Sequence, residues 1–236
     1  NPYIAFMQGF TMGGGVGISC HGSHRIVCET SKIAMPECSI GLVPDVGGSL
    51  LLARAPSNLG YYLGITGMQM DAADAIYAGF ADCYIPKNEW SYVIENLEKS
   101  GDSSIIHKYL KDPGESQLSK SAKFFEAAFK SKKLSKIVKF LFKSENPLAH
   151  LASQKIKKNC PIAMTYTLEM LSRLTPTSKI EDALDLEYRF TSRAQEYGSF
   201  QEGIRAVIID KDRKPKWKFK IDGVPKEIID EFFKPV

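Results

Sequence analysis

Two carboxylates, Glu37 and Asp45, are the only formally charged groups in the glycine-rich segment MPECSIGLVPDVGG, which covers residues 35–48. Each acid directly follows a proline. Acidic side chains are seldom placed in apolar surroundings unless they are paired or take part in chemistry. Two acids in unlike environments can divide the work between a nucleophile or general base and a group that orients water. The spacing leaves open which acid takes which role.

Each acid also has an ordinary structural interpretation. Asp45 stands just before a predicted helix at GGSLLLARA, and aspartate is a common residue at a helix N-cap. Glu37 could be a solvated loop carboxylate after a strand-like run. The chemical interpretation is favoured because a second unusual segment, the glycine run TMGGGVG at residues 11–17, comes shortly before both acids.

The glycine run lies where a predicted strand turns into a predicted helix. The first N–H groups of a helix have no intrahelical acceptor and favour negative charge. The segment lacks the GK[ST] of a phosphate loop and the GxGxxG of a dinucleotide site. Two interpretations remain, a tight turn with close packing and an oxyanion hole whose backbone N–H faces a developing alkoxide.

The elements that position these residues follow from the hydrophobic pattern. Strand-like runs alternate with glycine turns and helices in the first part of the chain, an order that favours an α/β arrangement. The predicted strands are YIAFMQG, HRIVCE, KIAMPE and CYIP. Helices are predicted at GGSLLLARA and NLGYYLGI, followed by AADAIYAGFAD before the last strand.

The second part of the chain is predicted to be mainly helical. Between residues 119 and 158, apolar residues recur at helical spacing with lysines between them, which indicates amphipathic helices with a solvated basic face. Residues 161–207 look helical with a break at LTPTS, where Thr177 or Ser178 could cap the next helix, IEDALDLEYRFTSRAQEY. A polar loop and a short helix are predicted at the C-terminus.

Length and composition exclude several classes of protein. The 236 residues suit one large domain, or one domain with an appendage, and the net charge of +4 is too small to name a partner. The five cysteines are odd in number and form no CxxC pair, which indicates reduced thiols rather than disulfides or a zinc site. Glycines and polar residues interrupt the uncharged residues 1–20, so neither a membrane span nor a signal peptide is predicted.

Several other reactive side chains are predicted to be structural. No serine or cysteine nucleophile motif accompanies His21 and His24. Cys20 and Cys38 flank the two segments without a matched base and are predicted to be small core residues. For Arg205, a structural ion pair and a ligand contact both remain open.

Several motifs in series resemble those of the 3-hydroxyisobutyryl-CoA hydrolase branch of the crotonase (enoyl-CoA hydratase/isomerase) superfamily. They are TMGGGVGISCHG, AMPECSIGLVPDVGG, LGYYLGITG, AADAIYAGFAD and FQEGIRAVIIDKDRKPKW. The resemblance runs through nearly the whole chain and is weakest between residues 100 and 160. It implies an α/β crotonase fold of stacked ββα units with a helical C-terminal region. Residues 1–100 would form the C-terminal part of the core with the active site, and residues 101–236 would complete the acyl-CoA pocket.

The resemblance also implies a role for three residues. Gly14, the middle glycine of the run, would supply an oxyanion-hole N–H. Glu37 would be the principal catalytic carboxylate, and Asp45 would be the second.

The chain departs from the pattern of the superfamily in two places. Hydratases carry a second glutamate after the glycine run, as in GGGxE, whereas this chain has Gly17 there. The superfamily also carries an upstream segment with the other oxyanion-hole N–H and part of the CoA pocket. Because this chain begins at NPYIAF, we expect it to be the C-terminal portion of a longer protein.

The resulting prediction is an acyl-CoA thioester hydrolase acting on 3-hydroxyisobutyryl-CoA, as in valine breakdown. The alternatives are an enoyl-CoA hydratase or isomerase and a non-catalytic assembly protein that keeps the fold. No metal or redox cofactor is expected, since CoA is part of the substrate. Neither nucleic acid nor membrane is expected as a partner, and a homo-oligomer is left open. The expected location is the cytoplasm in a bacterium, with the mitochondrial matrix as the alternative.

Overall fold

The strands form two small parallel sheets in the computed structural model, which describes residues 1–196 and 199–236. Within these ranges the strands are β1 (Ile4–Met7), β2 (Phe10–Met12), β3 (His24–Val27), β4 (Lys32–Ala34) and β5 (Cys83–Tyr84). One sheet has the order β1-β3-β5, and the other pairs β2 with β4. Consecutive strands therefore lie in different sheets, and the two ββ units stack on each other.

The pairing of β2 with β4 brings the two site segments together. In this parallel register Phe10 lies opposite Lys32, and Met12 lies opposite Ala34. Because the carboxyl ends of parallel neighbours meet at one sheet edge, the glycine run after β2 lies beside the segment after β4. The Gly13 N–H donates a hydrogen bond of 3.3 Å to the carbonyl of Ala34, which joins the two segments directly.

Short helices follow each of these strands. Helix α1 (Gly14–Ser19) follows β2, and a 3₁₀ helix (Glu37–Ile40) follows β4. The chain then forms α2 (Gly48–Arg54), α3 (Leu59–Thr66) and α4 (Ala72–Tyr77) before β5.

The remaining described residues are mostly helical. The helices are α5 (Trp90–Ser100), α6 (Gln117–Lys120), α7 (Ala122–Ala128), α8 (Leu134–Lys143), α9 (Pro147–Ile156), α10 (Pro161–Arg173), α11 (Ile180–Thr191), α12 (Ser199–Ile204) and α13 (Lys226–Phe232). Within the described ranges, no helix has both the length and the apolarity that crossing a bilayer requires.

The core fixes α11 against the site region. Helix α10 packs on α2 and α3, and α11 packs on α2. The ring of Tyr166 on α10 lies 5.0 Å from that of Phe190 on α11 and stacks on Phe233 at 4.1 Å. Its hydroxyl donates to the carbonyl of Leu186 at 2.6 Å. Aromatic pairs at such distances contribute beyond their buried area, so α11 is held firmly beside α2.

Most of the predicted elements are confirmed. The four predicted strands and the α/β order are present, and β2 is an additional strand. The amphipathic interpretation of the lysine-rich region is confirmed at α8, where Leu134, Ile137 and Leu141 are buried and the lysines are exposed.

The predicted cap of α11 is wrong. The helix begins at Ile180 with Lys179 as its N-cap, and the Lys179 N–H donates to Asp182 at 2.8 Å. Ser178 instead closes the preceding turn by accepting the Thr175 N–H. Tyr197, the last residue of the predicted helical segment, lies outside the described residues. The division of the chain at residue 100 stays a prediction.

Candidate active site

Glu37 is buried against the glycine turn. Its side chain is 6 % exposed and opens the 3₁₀ helix that follows β4. A Cβ added to Gly13 would lie only 2.8 Å from Glu37 Oε1, and Gly13 has a φ of +52°. Position 13 therefore needs glycine both for its backbone conformation and for the close approach of the carboxylate.

The second carboxylate oxygen of Glu37 has no protein partner. Oε2 is buried and accepts no hydrogen bond from any described residue. Burial raises the pKa of Glu37 to about 8; a bond from its own backbone N–H opposes the shift, and the charges of Asp45 and Glu187 add to it. A buried polar group is normally hydrogen-bonded, so an unpaired carboxylate oxygen with high proton affinity suits a group that takes a proton or attacks a substrate.

Asp45 lies half-buried in the turn that leads into α2. Its backbone carbonyl accepts the Gly48 N–H at 2.7 Å, while the N-cap position of α2 is Gly47, with no side-chain cap bond. The capping interpretation of the Asp45 carboxylate therefore does not hold within the described residues. Burial raises the pKa of Asp45, opposed by a hydrogen bond from its own backbone N–H. The charge of Asp45 in turn raises the pKa of Glu37, so the two acids lie within electrostatic reach of each other.

The first turn of α1 is open on the side of Gly14. Gly14 is exposed, and a Cβ added there would meet no atom within 4 Å. Its N–H, at the first position of the helix, has no intrahelical acceptor. The structure thus places Gly14 in the same turn as Gly13, which touches Glu37, with room for a ligand atom beside it.

Gly17 lies one turn further along α1 and is tightly packed. A Cβ added to Gly17 would lie 2.6 Å from the Cβ of Val46, the residue after Asp45. The space that a side chain at position 17 would occupy is therefore filled by Val46. A glutamate could enter this position only if the Asp45 turn moved.

A third buried acid, Glu187, was not found by sequence reasoning. It reaches from α11 to the start of α2, where its carboxylate accepts the Gly47 N–H at 2.9 Å, the Ser49 N–H at 3.1 Å and the Ser49 hydroxyl. Burial raises the pKa of Glu187 to about 7; these hydrogen bonds oppose the shift, and the charge of Asp45 adds to it. The sequence carries no signal for this contact, because Glu187 stands in an ordinary helical pattern far along the chain from residue 47.

The other reactive side chains have structural surroundings. Cys20 and Cys38 are buried, which raises the pKa of both thiols and confirms that they are core residues. His21 Nε2 donates to the carbonyl of Val46 at 3.1 Å, and His24 Nδ1 contacts the hydroxyl of Ser23 at 3.0 Å. Across residues 1–196 and 199–236, no three His, Cys, Asp or Glu side chains form a set that could hold a metal ion.

A cavity with cationic side chains borders the Glu37 segment. The cavity has a volume of about 290 Å³ and is bordered by Pro36 and Ser39 on one side and by Lys155, Lys158 and Arg213 on the other. Arg205 does not border this cavity. It forms ion pairs with three acids, Glu202, Asp210 and Asp212. These ion pairs confirm the structural interpretation of Arg205.

Comparisons with known proteins place the whole chain in one group. A family model described as enoyl-CoA hydratase/isomerase matches residues 1–233. The chain is 32% identical to the mitochondrial 3-hydroxyisobutyryl-CoA hydrolase of Gallus gallus over 247 residues, covering 100% of the chain and 64% of the relative. It is 33% identical to the Homo sapiens protein of the same name over 249 residues, covering 99% and 63%. The chain thus spans slightly less than two thirds of the length of these curated relatives.

Two crystal structures share the fold. An enoyl-CoA hydratase from Rhodobacter sphaeroides 2.4.1 matches with a TM-score of 0.94 at 47% identity, covering 100% of this chain and 69% of that one. A carnitinyl-CoA dehydratase from Mycobacterium thermoresistibile matches with a TM-score of 0.94 at 34% identity, covering 100% and 68%.

Proposed function

The chain belongs to the enoyl-CoA hydratase/isomerase family, the crotonase superfamily, and from that premise we propose that it hydrolyses an acyl-CoA thioester. The proposed substrate is 3-hydroxyisobutyryl-CoA, and the products are 3-hydroxyisobutyrate and CoA. Support for this substrate comes from the names of the curated relatives, which match the chain along almost its full length.

The packing of Val46 on Gly17 is the main observation in favour of hydrolysis over hydration. Hydration in this superfamily uses a second glutamate at the position of Gly17, as the sequence resemblance implies. Here Val46 occupies the space of that side chain, with the two Cβ positions only 2.6 Å apart. Glu37 is therefore left beside the glycine turn without the second hydratase acid.

In the proposed mechanism, the thioester carbonyl oxygen accepts a hydrogen bond from the N–H of Gly14. Donors aimed at a developing oxyanion are among the largest contributions to enzyme catalysis. In one route Glu37 attacks the carbonyl carbon, CoA leaves as a thiolate, and water then hydrolyses the mixed anhydride, which releases the acid and restores Glu37. In the other route Glu37 removes a proton from the water that attacks the carbonyl carbon, and CoA leaves as a thiolate. Asp45 orients the water or the substrate hydroxyl. The thiolate takes up a proton, and one water is consumed per thioester.

The proposed site for the CoA phosphates is the cationic cavity beside the Glu37 segment. CoA carries several phosphate charges, and the cavity is bordered by Lys155, Lys158 and Arg213. Exposed cations at such a site attract and orient an anionic substrate. No metal or redox cofactor enters the proposed reaction.

The location and the assembly state are also proposals. The curated relatives are named as mitochondrial proteins, which supports the mitochondrial matrix over the bacterial cytoplasm. A homo-oligomer is compatible with the proposed reaction.

A second candidate function is hydration of an enoyl-CoA. It is favoured by the Rhodobacter sphaeroides structure, which carries the name of a hydratase at 47% identity.

The test compares two substrates on the purified full-length gene product. With 3-hydroxyisobutyryl-CoA we expect release of free CoA, measured with a thiol reagent. With crotonyl-CoA we expect little loss of the enoyl absorbance. Rapid loss of that absorbance without CoA release would overturn the hydrolase proposal in favour of the hydratase. A folded protein that performs neither reaction would favour a non-catalytic assembly role.

A further inference from the structure

We propose that Glu187 is a positioning residue that holds the Asp45 carboxylate in its working place by anchoring the turn at Val46 and Gly47. This inference rests on the proposed function, because Asp45 acts there. Glu187 itself does not touch the substrate.

Glu187 binds the turn directly rather than through a chain of contacts. Its side chain is 2 % exposed, and one carboxylate oxygen accepts the Gly47 N–H at 2.9 Å. The other oxygen accepts both the N–H and the hydroxyl of Ser49. Hydrogen bonds to a charged acceptor are stronger than neutral ones, and two separate oxygens fix the direction of the turn as well as its distance.

The turn needs such an anchor because its backbone is strained. Val46 has a φ of +54°, a left-handed conformation that a β-branched residue rarely adopts, and Gly47 follows with a φ of +77°. Conformations of this kind persist only where the surroundings hold them, and they gather at functional sites. The peptide group between Val46 and Gly47 is held on both sides, its carbonyl by His21 at 3.1 Å and its N–H by Glu187 at 2.9 Å.

Neighbouring side chains pack closely against both Val46 and Gly47 in this turn. A Cβ at Gly47 would lie 2.5 Å from Ile180 Cδ1 and 2.6 Å from His21 Nε2, and the φ of +77° adds backbone strain to any other residue there. The Val46 side chain is pressed against Gly17. If the Glu187 anchor is weakened, the turn can relax only by moving as a unit, and Asp45 moves with it.

If Glu187 only stabilised the start of α2, an uncharged hydrogen-bond acceptor would serve as well as an acid. Burial and the nearby charge of Asp45 both disfavour the anionic form of Glu187. A neutral acceptor would satisfy an N–H group without bringing a third negative charge near Glu37 and Asp45. The rigid support of α11 by the ring of Tyr166 further suits a residue whose exact placement matters.

The first experiment measures CoA release from 3-hydroxyisobutyryl-CoA by Glu187→Gln. The amide keeps the size of the side chain but replaces one acceptor oxygen with an NH₂ that faces an N–H donor. Since a misplacement of about 1 Å in a catalytic group can cost on the order of 10²-fold, we expect kcat to fall by roughly that factor, with KM nearly unchanged.

Two further variants separate positioning from charge and from general stability. Glu187→Asp keeps the charge but draws it back by one methylene, and we expect its kcat to fall as well. Glu169→Gln, on the neighbouring helix α10, is the matched control, because Glu169 forms its ion pair with Arg173 near the surface and the substitution should leave kcat unchanged. Thermal unfolding of each variant confirms that the protein compared is folded.

A double-mutant cycle with Asp45→Asn decides whether Glu187 acts through Asp45. If it does, Glu187→Gln should lower kcat far less in the Asp45→Asn background than in the wild type, because coupled losses are not additive. Equal fold losses in both backgrounds, or a Glu187→Gln protein with wild-type kcat, would overturn the proposal. A wild-type protein that releases no CoA would instead refute the proposed function, so the two failures are distinct.

Discussion

Two groups of three acids lie in this protein, and their surroundings are opposite. Glu202, Asp210 and Asp212 surround a single arginine, Arg205, at distances of 2.6–2.9 Å near the surface. Glu37, Asp45 and Glu187 lie within electrostatic reach of one another, and none of them takes part in an ion pair among the described residues. The same side-chain types therefore pair with a cation in the first group and have no cationic partner in the second.

The different surroundings shift the pKa values of the two groups of acids in opposite directions. Hydrogen bonds from Arg205 and from the Lys216 N–H lower the pKa of Glu202 to about 2. Burial and mutual repulsion raise the pKa of Glu37 to about 8 and that of Glu187 to about 7. Acids that are neutralised by a cation hold a loop together, whereas buried acids without one are a feature of sites that perform chemistry.

The largest expected effect is the loss of activity in Glu37→Gln. The amide cannot act as nucleophile or base, so we expect CoA release to fall by roughly 10²–10⁴-fold. Quantifying free thiol under saturating substrate measures the loss. Turnover within a few fold of the wild type would remove Glu37 from the mechanism.

The same variant provides its own stability control. The pKa of Glu37 is raised on folding, so its anion destabilises the folded protein increasingly as the pH rises from about 4.5 towards 8. Glu37→Gln removes this penalty. Its unfolding temperature should therefore equal or exceed that of the wild type at pH 8, which shows that lost activity is not lost folding.

A somewhat smaller effect is expected for Asp45→Asn. We expect kcat to fall on the order of 10²-fold, because the amide is a poorer group for orienting water by charge. Stability should change little, since the Asp45 side chain does not cap α2. Steady-state kinetics together with thermal unfolding separate these two quantities, and wild-type kcat in a folded variant would contradict a catalytic role.

The pH profile provides a third prediction. Glu37 must be ionised to act, so kcat/KM should rise about tenfold per pH unit on the acid side and level off above about 8. Glu202 and Asp212 beside Arg205 add no step in this range, because their pKa values are lowered. A profile that is flat between pH 6 and 8 would mean that Glu37 is already ionised in the free protein.

The smallest effect is expected for Arg205→Ala. Arg205 also donates to the Lys214 carbonyl at 3.2 Å, so its loss frees the loop that carries Arg213 at the cationic cavity. We expect KM for the acyl-CoA to rise a few fold, with kcat within about twofold, as for a residue that affects binding alone. A kcat loss as large as that of Asp45→Asn would erase the distinction between the two groups.

The sequence predicted the parts of the fold that depend on short-range patterns. The alternation of strands and glycine turns indicated an α/β arrangement, the family resemblance implied the ββα units, and the lysine spacing indicated the exposed face of α8. The closeness of the glycine run and the Glu37 segment in the chain suggested that they meet, but the pairing of β2 with β4 that joins them was not predicted. The strand β2 was missed because three residues, Phe10–Met12, are too few to show an alternating pattern.

What the sequence determined by itself is which residues are available: glycines where the backbone turns left-handed, and two acids after prolines beside them. Only the tertiary structure decided that Val46 fills the space beside Gly17 and that Glu187 arrives from α11 to hold the Asp45 turn. The physical reason is that both features depend on burial and on contacts between distant parts of the chain. Local propensity carries no information about either, and desolvation, which sets the direction of the three pKa shifts, exists only once the core has closed.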